Sequence, residues 1–540
     1  MELLFSALIT TTIALFLFLT FGPRPLNRTK SSSPPPPLPP EPSGGFPIVG
    51  HLLQFISSKQ TMARDFADMA DRHGPIFTIR LGVHRCVVVS DPKTVQECFT
   101  ANDRALASRP WSSQAEFLNY RSAGFAAAPY GTYWRDIRKL AVTQLLSSHR
   151  LKSLAHIQVS EINMLVRELH RMCRGGGGVV AMSEVIEQMG SNMITRLIAG
   201  KRCFNYRAAG DGGGDGHVEG ERIGRLMRDF MRVCGEFVPS DIVPLLGWMN
   251  WMPGGVLKSM QRIGKELDVV MQSWIEEHKQ RRRDDEEEEQ GDFIDVMLSA
   301  IGDDFAEEYS PETIVKATAL TLILAGADTT SITIIWILSN LLNNRNTLEL
   351  AQQELDVKVG KTRWMEHSDV SNLVYLQAIV KETLRLYPPA PTAIPHQATQ
   401  DCTIHGYRVP KGTRVFANLW KLHRDPNVWS DPDEFRPERF LVDQLHGRDS
   451  NLIDGLSAKN FELVPFGSGR RSCPGEAFAL QIVHLAIGRL LQGFDITNVS
   501  DVGDDEPVDM AEGQGLTMPK ATPLEVKMVP RLSLHLYEVC

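Results

Sequence analysis

The sequence predicts a mainly α-helical fold with small β-sheets, carried by one large domain behind an N-terminal membrane anchor. Three observations predict it. Helical apolar patterns dominate from Thr94 onward, and one of them continues for some thirty residues after Ser310. Extended, β-branched runs are few and short: Ile76-Phe77-Thr78-Ile79-Arg80-Leu81 and Arg85-Cys86-Val87-Val88-Val89-Ser90 flank Gly82 as a hairpin, and strands return near residues 403–409 and 414–417. Residues 3–21, LLFSALITTTIALFLFLTF, carry no charge.

At ~1.5 Å per residue that stretch spans roughly 28 Å, close to a bilayer core. It defines an anchor over residues 1–22, in contact with membrane lipid through residues 3–21. Arg24, Arg28 and Lys30 follow it and only Glu2 precedes it, so the rest of the chain is expected on the cytoplasmic side. A cleaved signal peptide would need a basic n-region and a small-x-small cleavage site, and neither is clear. Residues 23–47 read as a basic, proline-rich hinge: SSSPPPPLPPEPSGG makes a stiff extended spacer. The main domain is then expected over residues 48–540. Within it, the glycine clusters at 175–178 and 210–216 read as surface loops, and the charge run over 281–289 as a solvated loop.

Composition narrows the function. With 43% hydrophobic and 23% charged residues the chain is globular. Its net charge of −8 gives no basic surface for nucleic acid, which is not an expected partner. The eight cysteines form no C-x-x-C, so neither a zinc ribbon nor a disulfide framework is suggested, and their usage fits a reducing compartment.

The chemistry concentrates in Phe466-Gly467-Ser468-Gly469-Arg470-Arg471-Ser472-Cys473-Pro474-Gly475, which runs into a helical apolar pattern over residues 477–494. A thiolate in such a loop is a soft ligand suited to iron. The glycines permit tight turns that aim backbone N–H groups at the sulfur, and the following helix points the positive end of its dipole there. Arg471 is placed to pair with a carboxylate of the same cofactor. The plain alternative is a structural cysteine beside a turn. Elsewhere, Trp134 and Arg138 share a helix face at i,i+4. The long helix begins at a Ser310 cap with Pro311 first, and Ala325-Gly326-Ala327-Asp328-Thr329-Thr330-Ser331 interrupts its apolar run. Polar residues in a buried helix are costly without a task, and a hydroxyl bonding back to a carbonyl is expected to open the helix there. Glu382 and Arg385 stand at i,i+3 before Pro388-Pro389, and Pro437-Glu438-Arg439-Phe440 follows later.

The cysteine loop matches Phe-x-x-Gly-x-Arg-x-Cys-x-Gly, and the chain resembles the cytochrome P-450 monooxygenases from anchor to C-terminal strands. The surrounding text, including HRDPNVWSDPDEFRPERF, is similar to plant microsomal members of the A-type, of the branch oxidising alkaloids, flavonoids, lignans and terpenoids. The resemblance implies the cytochrome P-450 fold and a haem b with Cys473 as its axial iron ligand. It implies Phe466, Gly469, Arg471 and Gly475 as parts of the haem-binding loop, and Trp134, Arg138 and His396 as contacts to the haem carboxylates. Asp328 and Thr329 become the acid–alcohol pair that delivers protons during oxygen activation. Glu382, Arg385 and Arg439 become a buried lock of the core. Partners implied are an NADPH-cytochrome P-450 reductase and a small lipophilic substrate, with O2 and NADPH-derived electrons consumed, at the endoplasmic reticulum membrane. The substrate pocket implied is lined by residues 111–125, 230–253, 392–394 and 518–521 and by the helix before Ala325. The chain has no Gly-x-Gly-x-x-Gly after a strand, so NADPH and flavin are expected on the partner. The competing functions are a reductase-independent haem-thiolate isomerase or lyase, which needs no Asp328–Thr329 pair, and a non-catalytic haem-binding protein.

Overall fold

The computed structural model describes residues 35–174, 178–204, 215–244, 246–247, 255–284, 291–441, 461–499 and 507–539. The chain divides into two compact units, Met1–Pro37 and Leu38–Cys540, and the second carries every element below. The anchor expected over residues 3–21 lies outside the described residues.

The expected hinge runs to residue 47, but the second unit already begins at Leu38. Proline-rich backbone offers carbonyls that nothing in its own segment uses. Pro40 O accepts the N–H of Thr78 at 2.8 Å, Pro42 O bonds the His51 ring at 3.0 Å, and Pro39 and Pro42 are buried. Residues 38–47 therefore dock on the domain.

The hairpin forms as expected from β1 (Ile76–Leu81) and β2 (His84–Val89), with Leu81 opposite His84. Gly82 in its turn has φ +58, and a Cβ there would stand 2.0 Å from Ile242 O, so only glycine fits. The remaining strands are β3 (His396–Gln397), β4 (Cys402–Ile404), β5 (Tyr407–Val409), β6 (Arg414–Ala417), β7 (Phe494–Asn498) and β8 (Val526–Pro530). The single strand expected over 403–409 is two, folded at His405 and Gly406, which both have positive φ. β6 pairs with β2 in parallel, giving a four-stranded sheet of order β1-β2-β6-β3; β7 and β8 form a separate two-stranded antiparallel sheet.

Five helices carry the site: α1 (Thr132–Gln144), α2 (Met182–Ala199), α3 (Pro311–Asn343), α4 (Val374–Leu386) and α5 (Glu476–Gly493). Ser310 caps α3 by accepting the N–H of Thr313. Among the described residues α3 is the one helix long and apolar enough to cross a membrane, and it is buried in the core instead. It stays continuous through Ala325–Ser331, so the expected local opening does not occur. The Thr329 and Thr333 hydroxyls donate to the carbonyls of Ala325 and Thr329 without breaking the helix. α2 crosses α3 where side chains are missing: a Cβ on Gly326 would stand 2.9 Å from Ile194 Cδ1, and one on Gly190 2.4 Å from Ser331 Oγ.

Two loop expectations change. Residues 281–284 close the helix Val256–Asp284, with Arg281 reaching Asp292 at 3.5 Å. Residues 215 and 216 begin the helix Asp215–Cys234. The other residues of the charge run, 285–289, and residues 175–177 and 210–214 of the glycine clusters, lie outside the described residues.

A buried ion-pair knot fastens α4 to the chain that leads into the cysteine loop. Glu382 and Arg385 are both 0% exposed and meet at 2.8 Å, and Arg439 reaches Glu382 at 3.0 Å. All five N–H donors of Arg385 are engaged: two on Glu382, the others on the carbonyls of His423, Pro432 and Glu434. Burial, with Arg385 and Arg424 nearby, pushes the His423 ring down to about 3, so it is neutral. Its Nε2 accepts the N–H of Val464 at 3.0 Å, and Val464 O accepts the N–H of Gly467. The knot thus sets the start of the cysteine loop.

Candidate active site

The cysteine loop folds on its own backbone. The N–H of Cys473 donates to Phe466 O at 2.8 Å and that of Ser472 to Gly469 O at 3.1 Å. Gly469 has φ +71 and abuts Asp103, whose Oδ1 would lie 2.4 Å from a Cβ, so no larger residue fits. Gly475 stands at the N-cap of α5, and a Cβ there would lie 3.9 Å from Cys473 Sγ. The sulfur therefore faces the N-terminus of α5, as expected. Of the loop N–H groups, that of Gly475 reaches it; that of Cys473 serves Phe466.

Cys473 opens onto an apolar cavity of about 290 Å³, and its exposure is to that cavity. Burial pushes the thiol pKa up, the Gly475 N–H pulls it down, Glu476 pushes it up and Arg138 pulls it down. Thr329 lines the same cavity from α3, with Ala325, Gly326, Thr330 and Thr333. Phe466, Arg471, Trp134, Arg138, His396, Gly475 and Cys473 all border it; Gly469 shapes the loop behind.

Asp328 does not border it. Neighbouring residues on a helix differ by about 100°, and the step from Thr329 back to Asp328 leads out of the cavity lining. Burial pushes its carboxyl up to about 6, and Thr517 beside it pulls the other way. Glu187 of α2, itself raised by burial, senses its charge.

The donors at the cavity edge are arranged differently from the expectation. The indole N–H of Trp134 donates to Phe125 O at 3.1 Å, and its ring lies under Arg471 at 4.3 Å and Arg138 at 5.6 Å. Trp134 thus serves as a cation–π platform beneath the two arginines. His396 donates its Nδ1–H to Leu106 O at 2.7 Å. Burial, then Arg109 and Arg471, hold its pKa well below the ordinary value. Arg471 donates to the carbonyls of Ala107, Phe125 and Ala128, and Arg138 to Ser472 O at 2.6 Å.

Sequence reasoning missed Arg109. It is buried, donates to Ile394 O and Pro395 O, and borders the cavity beside Arg471. The available signal was a lone charge in Ala105-Leu106-Ala107-Ser108-Arg109-Pro110, two residues before the expected lining segment 111–125. The lining also differs from expectation: of residues 111–125 only Phe125 contributes, of 392–394 only Ala393 and Ile394, and no described residue of 230–253 or 518–521 does. Met518 instead braces α3, its carbonyl accepting the indole N–H of Trp336 at 2.8 Å.

These residues fit a dianionic, iron-bearing macrocycle. The lining holds three arginines and no Asp or Glu. Burial and mutual repulsion push Arg109 down to about 9 and Arg471 to about 8, so the edge favours negative charge strongly. A sulfur ligand stands on the wall and the rest is apolar, which is the chemistry of a thiolate-ligated haem with two carboxylates.

The profile of the cytochrome P-450 family matches residues 39–526. The chain belongs to the cytochrome P-450 family. A flavonoid-6-hydroxylase of Ocimum basilicum is 46% identical over 92% of each chain. A nicotine N-demethylase of Nicotiana tomentosiformis is 42% identical over 94% of this chain and 95% of its own. A zebrafish cytochrome P-450 structure with abiraterone superposes with a TM-score of 0.70 at 26% identity, covering 87% of this chain and 99% of that one. The protein is thus a cytochrome P-450 monooxygenase, an oxidoreductase of the kind named hydroxylase and demethylase among its plant relatives. Membership implies haem, O2 and reducing electrons, a redox partner and a lipophilic substrate.

Proposed function

We propose that this cytochrome P-450 inserts one oxygen atom of O2 into a lipophilic plant specialised metabolite, an alkaloid, flavonoid, lignan or terpenoid. Its electrons come from NADPH through a membrane-bound NADPH-cytochrome P-450 reductase. The observation that carries the reading is Cys473 and Thr329 facing one apolar cavity with an arginine-rich edge. Bound haem b supplies oxygen activation and transfer. Cys473 holds its iron, Arg109, Arg138 and Arg471 hold its carboxylates, and the apolar walls take up the substrate and exclude water. Thr329 spends its hydroxyl proton on Ala325 O at 2.7 Å, so towards the cavity its oxygen acts as an acceptor that orients a water. Asp328, with its pKa near 6, is suited to pass protons inward from outside the cavity lining. The test is turnover of microsomes holding this chain and the reductase with plant alkaloids, flavonoids, lignans and terpenoids under ¹⁸O2. Products carrying one labelled atom, formed only with NADPH, are expected; conversion without NADPH would overturn the reading.

Thr329→Ala removes the hydroxyl and little volume, so haem loading survives. The expected outcome is continued NADPH consumption, more hydrogen peroxide, and product lowered on the order of 10- to 100-fold, at the low end of general acid–base contributions. Peroxide and product measured together check it; unchanged product per NADPH would move proton delivery elsewhere.

We also place the protein in the endoplasmic reticulum membrane, single-pass through residues 3–21, with residues 48–540 in the cytoplasm. Asn27-Arg28-Thr29 and Asn498-Val499-Ser500 are sequons. On that topology endoglycosidase leaves electrophoretic mobility unchanged, and a shift would reverse the orientation.

A further inference from the structure

A second cluster of ligand-type side chains stands where two other helices meet. His278 comes from the last turns of the helix Val256–Asp284, and Asp292 and Asp295 from the start of the helix Phe293–Ala300. One ring nitrogen and two carboxylate oxygens lie within 4.8 Å of one another, and none of the three residues borders the apolar cavity. Part of the arrangement is a helix cap: Asp292 Oδ1 accepts the N–H of Ile294 at 3.0 Å and that of Asp295 at 3.3 Å. Asp292 Oδ2 is left over and faces His278 Nε2 at 2.7 Å. The imidazole is fully buried, and its Nδ1 faces Trp274 O at 2.5 Å. A carbonyl only accepts, so Nδ1 carries its hydrogen. Nε2 and the carboxylate oxygen then turn lone pairs on each other unless a cation lies between them, and either a proton or a metal ion serves.

Space for an ion is bounded by two glycines. A Cβ on Gly200 would stand 2.9 Å from Asp292 Oδ2, and one on Gly291 2.5 Å from Asp295 Oδ2. Gly200 has φ +64, which by itself asks for glycine. Gly291 is outside the left-handed region, so its backbone does not require glycine and the bare position leaves room. Gly291 also borders a polar cavity of about 300 Å³ with Thr143, Ser147 and Arg150, which gives ion and water a way in. Arg281 reaches Asp292 Oδ2 at 3.5 Å, but its side chain is 55% exposed, and such pairs contribute little.

We propose that His278, Asp292 and Asp295 form a zinc site that clamps the helix Val256–Asp284 to the helix Phe293–Ala300. One imidazole and two carboxylates suit Zn2+, with water in the fourth position. Calcium and magnesium favour oxygen alone, and thiolate-seeking metals find no sulfur here. The supports that a ligand set needs are present: Trp274 O fixes the ring through Nδ1–H, and two backbone N–H groups fix the Asp292 carboxylate. Zinc takes the place of the proton between Nε2 and Oδ2, so binding releases that proton to solvent. The site is separate from the haem chemistry and does not depend on it.

The test uses the full-length, haem-loaded chain without an affinity tag. The protein is stripped with a chelator and titrated with zinc chloride, and bound zinc is measured by elemental analysis after equilibrium dialysis. Saturable binding of one zinc per chain is expected, with acidification of a weakly buffered solution and a raised thermal midpoint. Asp295→Asn is expected to weaken binding by at least about 100-fold, beyond the roughly 10- to 100-fold that losing a supporting partner costs. Its backbone N–H still serves Asp292, so the helix cap and the haem band are retained. His278→Gln is expected to do the same; should that buried position fail to fold, Asp295→Asn carries the test. Asp304→Asn, at an exposed acid outside the cluster, is expected to bind zinc like the parent. No saturable zinc in the parent, or equal zinc in the parent and Asp295→Asn, would overturn the proposal, and the cluster would then be a proton-bridged helix cap.

Discussion

Cys473→Ser is expected to abolish the reduced-CO absorption band of thiolate-ligated haem, and with it NADPH-dependent product. The substitution changes one atom in a loop otherwise fixed by backbone: the N–H of residue 473 still donates to Phe466 O, and Gly467 still donates to Val464 O. Folding and the cavity are therefore retained. What is lost is the soft, electron-rich donor. A serine hydroxyl stays protonated in an environment where burial already pushes even the thiol pKa up, and a neutral oxygen is a poor ligand for this iron. CO-difference spectra of the purified variant check it against its circular dichroism. A retained band in a folded variant would remove Cys473 as the ligand.

Glu382→Gln is expected to destabilise the protein by about 3–5 kcal/mol, the range for breaking a buried pair from one side. Glu382 accepts two bonds from Arg385, one from Arg439 and the N–H of Arg436 at 2.9 Å. Removing its charge leaves two guanidinium groups in the core without compensation. The effect reaches the site because Arg385 also holds the His423 carbonyl, and His423 holds Val464 at the head of the cysteine loop. Haem-loaded protein should fall with stability. Arg385→Lys should behave similarly, since three donors cannot replace five. Urea denaturation followed by the haem band measures both, with the midpoint lowered at an unchanged slope; a midpoint near the parent value would make the knot dispensable.

Much of this was legible in the chain because the chemistry is local. A ligand cysteine needs a glycine-shaped loop of ten residues, and the loop's internal bonds, such as Cys473 to Phe466, span seven. Trp134 and Arg138 share a face because the helix repeat puts i and i+4 together. Ser310, Pro311 and an apolar pattern some thirty residues long specify α3 within a turn of its true end. What the chain did not show was distant. That the Trp134 indole meets Phe125 O, that the His396 ring meets Leu106 O, and that no described residue of 230–253 reaches the cavity all depend on loops that meet only after folding. The strand over 403–409 was broken by two residues in positive φ, one of them a histidine that carries no glycine-like signal.

The sequence alone determined the helix-rich architecture, the cysteine loop and the residue types around it, because backbone propensity, spacing and thiolate chemistry act over a few residues. Tertiary structure decided burial, and burial decides charge. Glu382 and Arg385 would be a minor pair on a surface, but at zero exposure they are a structural lock. Arg109 was one basic residue among many until it came beside Arg471, where repulsion in a low-dielectric wall turns both into a site for anions. Asp328 and Thr329 are neighbours in the chain, yet only Thr329 borders the cavity, while Asp328 lies beside Thr517. A sequence records neighbours along one dimension, while electrostatic free energy depends on distances and solvent exclusion in three.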